Sequence, residues 1–151
     1  MGILKNFIDE LTKHKLLAYF VTLWGAMLFL RPTYGFITYG LDMGYSNMVL
    51  GTFDVLFHLS ELFAGVLLLI VGIKVMNANF LKTIKSEKIL IYFLLLWAAS
   101  FFFLGLYNII DHGPRIFEHW NSIIAFLSGL AALIAGVVLG LFSWKLLNET
   151  E

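Results

Sequence analysis

Cysteine is missing altogether from the 151 residues, and there are only two prolines. Without thiols there is no disulfide, no thiolate metal centre and no thiol redox chemistry, which excludes quinone-linked thiol oxidoreductases. Charge is scarce as well: Asp, Glu, Lys and Arg make up 13% of the chain against 60% hydrophobic residues. A soluble domain this short must show much of its surface to water, so it cannot hide that much apolar side chain. Also absent are a Gly-rich phosphate loop, a Gly-x-Ser-x-Gly elbow and a His-Glu-x-x-His pair. Nothing therefore points to nucleotide binding, serine hydrolysis or zincin-type proteolysis.

What is present is long apolar runs. A membrane-crossing helix needs roughly 20 apolar residues to cross roughly 30 Å of hydrocarbon. Four stretches qualify, at about 16–36, 55–76, 89–110 and 120–144, with "ILIYFLLLWAASFFFLGLYNII" the cleanest. The first is apolar only from Leu16 to Leu30, so it must continue through Arg31 and Pro32 to reach across. The fold expected is an all-α integral membrane protein, a single domain over 1–151 built as a four-transmembrane-helix bundle. Ahead of it, Ile3, Leu4, Phe7, Ile8 and Leu11 recur at helical spacing among Lys5, Asp9, Glu10 and Lys13, which predicts an amphipathic interfacial helix over 1–15. Acidic residues there, and the lack of a small-x-small site, argue against a cleaved signal peptide. Asn6 breaks the myristoylation pattern.

The basic residues set an orientation. Lys5, Lys13, Lys15, Lys74, Lys82, Lys85, Lys88 and Lys145 fall on one side of the expected membrane, and only Arg31 and Arg115 fall on the other. The positive-inside rule then places both termini in the cytoplasm, in a plasma or inner membrane. The Asn148-Glu149-Thr150 sequon lands on the cytoplasmic side and is read as chance. Lysines facing a bilayer are the ordinary pattern, so no nucleic acid is expected as a partner; the lipid bilayer is.

With that orientation, Asp42, Asp54, Glu61, Asp111 and Glu118 gather on the outer side with His58, His112 and His119. Such a mouth attracts cations. Asp54, His58, Glu61, Gly65, Leu68 and Gly72 step by four and three along one stripe of the second span. Glu61 lies deep enough to need a charge partner, and Arg31 on the preceding span is the candidate. Asn108, Asp111 and His112 close the third span, and "DHGPRIFEHW" adds Arg115, Glu118 and His119. The expected metal or ion site is thus His58, Glu61, Asp54, His112, His119 and Asp111, with Arg31 as charge partner. Imidazole and carboxylate donors suit Zn, Cu, Fe or Mn. Haem is disfavoured because the histidines cluster at one edge.

Two further segments stand out. "PTYGFITYGLDMGYSNMVLG", between the first two spans, reads as a Gly/Tyr-rich loop with interfacial tyrosines rather than a selectivity filter. On the fourth span Ser128, Ala132, Gly136 and Gly140 recur every four residues, with Ala125, Gly129, Ala131 and Ala135 beside them. Removing side-chain bulk along a stripe lets another helix approach closely, either within the chain, in a homo-oligomer or on another membrane subunit.

Three functions remain open. The first is a membrane protein whose outward site binds or conducts a cation or metal. The second is a non-catalytic accessory subunit docking through the fourth helix. The third is a small metalloenzyme acting on a lipid or quinone, with Glu61 moving the proton. Nothing in the sequence specifies a reaction.

Overall fold

A computed structural model describes residues 2–40, 47–77 and 85–149. The described residues form five helices and no strand: α1 (Gly2–Lys13), α2 (Lys15–Tyr39), α3 (Met48–Met76), α4 (Ser86–His112) and α5 (Trp120–Asn148), with a 3-10 turn at Gly113–Arg115. Helices α2 to α5 are each long and apolar enough to cross a membrane.

Helix ends follow local chemistry. Asn47 caps α3, its side-chain oxygen accepting from the Val49 and Leu50 amides at 3.0 and 3.4 Å. Gly40 closes α2 at φ 76°, a backbone region open to glycine at no steric cost. Helix α2 runs unbroken through buried Pro32. It extends to Tyr39, and α3 starts at Met48, not near 55. Most of the expected Gly/Tyr-rich loop is therefore helix, because a helix satisfies its backbone groups internally where apolar neighbours offer no partners. The connection shrinks to 40–47, and Asp42 within it lies outside the described residues, as do Lys82 and most of the 77–88 segment.

Glycine sets the helix spacing. A Cβ on Gly25 would lie 2.6 Å from the Leu69 amide nitrogen, and one on Gly65 would lie 2.6 Å from that of Phe29. Helices α2 and α3 thus meet backbone to backbone. Gly105 and Gly136 do the same for α4 and α5, with Cβ positions 2.6 Å from Leu133 N and 2.7 Å from Phe102 N.

The order of packing is α2 on α3, α3 on α4, and α4 on α5. Among the described residues no other pair of these four brings Cα atoms within 8 Å. The expected four-helix bundle is therefore open on one side, since α2 and α5 do not meet. Side chains partly bridge the gap between α2 and α4. The Trp24 ring stands edge-on to Phe93 and Trp97, with centroids 6.2 and 5.1 Å away, and Trp97 continues to Phe101 at 5.3 Å.

Helix α1 lies against the ends of α2, α3 and α4. Leu4 and Leu11 are buried in a cluster with Val21, Val71, Ile89, Leu90 and Ile91, and Ile8 packs against it, while Ile3 and Phe7 stay exposed. One face of α1 is thus used for docking on the protein itself. The apolar core concentrates at this end, while the buried glutamate, Glu61, lies on α3 away from it.

Candidate functional site

Glu61 and the three residues expected around it come from α2 and α3. Arg31 sits one turn before the end region of α2 that begins at Gly35, and Asp54, His58 and Glu61 follow one another along α3. At 1.5 Å per residue, Asp54 and Glu61 are roughly 10 Å apart along the axis. Glu61 is the deepest, 5% exposed. Its Oε1 accepts from Arg31 Nη1 at 3.5 Å, longer than a tight guanidinium–carboxylate contact, and its Oε2 is buried without a hydrogen-bond partner. The Arg31 side chain, by contrast, is 69% exposed.

One turn towards the histidine-bearing end, His58 Nδ1 lies 2.8 Å from the Asp54 carbonyl oxygen. A carbonyl only accepts, so Nδ1 carries the hydrogen, and in the neutral ring Nε2 is left as acceptor. The Asp54 carboxylate stands 3.5 Å from the same nitrogen. Both side chains are largely buried, and the His58 ring is held edge-on between Phe57 and Phe36, with centroids 4.8 and 6.1 Å away.

The residues expected from the other hairpin form a separate cluster. Asp111 Oδ1 accepts from Arg115 Nη2 at 3.0 Å, and Asp111 Oδ2 lies 3.5 Å from His112 Nε2. Asn108 does not join them: its Cβ backs onto Gly129 of α5. His119 and Glu118 are exposed, and His119 serves α5 only through its carbonyl, which accepts from the Ser122 and Ile123 amides. Among the described residues, no ion pair or side-chain hydrogen bond links this cluster to Asp54, His58, Glu61 or Arg31, and no group of three or more His, Asp or Glu side chains is arranged to hold a metal. The six residues anticipated as one metal or ion site are thus divided. Asp54, His58 and Glu61 belong to α3, whereas Asp111, His112 and His119 belong to the α4–α5 hairpin.

Of the fourth-span stripe, Gly136 is buried against Phe102 and Ala98, Gly140 and Ala132 are half-buried, and Ser128 is exposed, its hydroxyl donating to the Ala125 carbonyl. The face seated on α4 runs instead through Ser122, Gly129, Gly136 and Ser143. That spacing of seven was visible in the sequence, and it is the period at which one side of a helix returns to the same partner. The Trp24–Trp97 contact had no such signal.

No family model, curated protein or solved structure matches this chain. The reading of its function therefore rests on the residues alone.

Proposed function

We propose an integral membrane protein, both termini cytoplasmic, whose α2–α3 hairpin carries an outward-facing cation site, and that the cation is a proton. Glu61 is the acceptor, Arg31 its counter-charge, His58 the relay and Asp54 the group at the mouth. The observation that carries this is the buried, unpartnered Oε2 of Glu61. An ionised carboxylate with an unsatisfied oxygen is costly away from water, and a proton on that oxygen removes the charge and with it most of that cost. His58, with Nδ1–H tied to Asp54, presents Nε2 as the atom that takes up and releases the proton. A transition metal fits less well: Zn, Cu, Fe and Mn sites need several convergent donors, and the described residues bring no three together.

Dicyclohexylcarbodiimide tests the reading, because it modifies protonated carboxyl groups in apolar surroundings. Mass spectrometry of the protein in proteoliposomes should find the adduct on Glu61, falling as pH is raised and absent from Glu61→Gln. An adduct-free Glu61 at every pH would overturn the proposal. So would one equivalent of bound metal that is lost in His58→Ala.

A second reading is a non-catalytic subunit. It is favoured by α5, which among the described residues packs only on α4 and the 3-10 turn and leaves Ser128, Ala131 and Ala135 exposed on a smooth face. Ala131→Leu should then release a partner subunit or second copy on native electrophoresis without unfolding the chain.

A further inference from the structure

The exposure of Arg31 needs an explanation that Glu61 does not supply. In the proposed membrane placement, Arg31 lies eight residues, roughly 12 Å, below the last residue of α2. A guanidinium exposed at that depth is costly unless an anion or water meets it. Among the described residues its one ion-pair partner reaches a single nitrogen at 3.5 Å, so most of its five donors are not used by Glu61.

What lies below it is apolar and hollow. Phe20, Trp24, Met27 and Arg31 step by four, three and four, so they form one stripe of α2, and Trp24 is two turns beneath Arg31. Phe20, Leu23, Trp24 and Met27 line a groove of about 450 Å³. Because α2 and α5 do not meet, no helix of this chain covers it among the described residues. A charge at the head of an apolar groove fits a molecule with an anionic head and a hydrocarbon tail, and a phospholipid of the outer leaflet enters from the side with its phosphate uppermost.

We infer that this groove holds one acyl chain of an anionic phospholipid whose phosphate is bound by Arg31. The inference deepens the proposed function, since it rests on the same membrane placement and shares Arg31 with Glu61. The phosphate accepts from guanidinium nitrogens that Glu61 does not use, and the acyl chain lies along Leu23 and Met27 against the Trp24 ring. Glu61 and the lipid compete for Arg31, so a neutral residue at 61 strengthens lipid binding.

Native mass spectrometry of the full chain, released from micelles with added phosphatidylglycerol or phosphatidylcholine, tests this. One phosphatidylglycerol should remain bound, preferred about tenfold over phosphatidylcholine, whose choline ammonium offsets the charge of the same phosphate. Arg31→Gln should abolish that preference, Met27→Trp should expel the lipid by filling the groove, and Glu61→Gln should retain it at least as well. Equal retention of the two lipids, an unchanged preference in Arg31→Gln, or loss of lipid in Glu61→Gln would each overturn the inference. Circular dichroism of each variant shows that the helices persist, and Arg31→Lys, which keeps the charge, should keep part of the preference. If Glu61 resists carbodiimide while phosphatidylglycerol stays bound through Arg31, the proton reading fails and the lipid site stands.

Discussion

The α2–α3 and α4–α5 hairpins solve the same packing problem with different contents. Both bring antiparallel backbones together at glycines, Gly25 and Gly65 in one, Gly105 and Gly136 in the other. The buried polar groups then diverge. On α4 and α5, Ser100 and Ser143 donate to carbonyls of their own helix, Trp97 and Leu139, both at 2.7 Å, and ask nothing of a partner. On α3 the contrasting group is ionisable: Glu61 is buried beside Ser60, and its Oε2 finds no hydrogen-bond partner. Close glycine packing is therefore a scaffold in either hairpin, and the chemistry resides where an ionisable group was placed beside it.

The largest effect should come from breaking the scaffold. Gly65→Leu and Gly136→Leu each overpack a backbone contact, and each should cost about 3 kcal/mol in equilibrium unfolding from micelles. Only Gly65→Leu, one turn from Glu61, should also change carbodiimide reactivity; a change in both would erase the contrast between the two hairpins.

Arg31→Gln comes next. It strands Glu61 without its counter-charge, but Arg31 is mostly exposed, so the loss should be about 1 kcal/mol once solvent screening is allowed for. Glu61→Gln should cost less than Arg31→Gln under the same conditions, because it removes the buried charge itself. The reverse order would show that Glu61 is satisfied as it stands.

In the other hairpin, Asp111→Asn should shift stability by about 0.5 kcal/mol or less, since its partners Arg115 and His112 are solvent-accessible. A larger loss would give the second cluster a weight its geometry does not suggest.

The smallest effect lies in α1. The exposed Glu10 accepts from Lys13 at 2.9 Å, and that bond holds the Glu10 carboxyl below its ordinary 4.5 and the Lys13 ammonium above its ordinary 10.5. The depressed glutamate contributes stability above 4.5 that is lost as pH falls through its lowered value. The raised lysine contributes below 10.5, and its share is lost as pH rises through the raised value. Amide protection in α1, taken relative to the intrinsic exchange rate at each pH, should thus be greatest between those limits. Glu10→Gln should flatten the profile, as should high salt.

The apolar runs, the polar stripe on α3 and the pairing of Arg31 with Glu61 were legible because helical period and burial cost act within or between neighbouring segments. The convergence expected of His112, His119 and Asp111 on that stripe was not legible. Sharing one end of a bundle constrains depth but leaves lateral position free, and α4 turns Asn108 towards α5 instead. The length of α2 was underestimated because tyrosine and glycine weigh towards a loop, whereas Gly35 is buried within the helix.

By itself the sequence determined four long apolar helices and a short amphipathic one, since hydrophobic length and 3.6-residue period are local properties of the chain. Only the tertiary structure decided that the four stand in an open row, that α5 seats a seven-residue spacing of small residues on α4, and that Arg31 is left exposed above an uncovered groove. Those outcomes depend on the rotation of each helix about its axis. Backbone approach at a few glycines fixes that rotation, and no single segment encodes it alone.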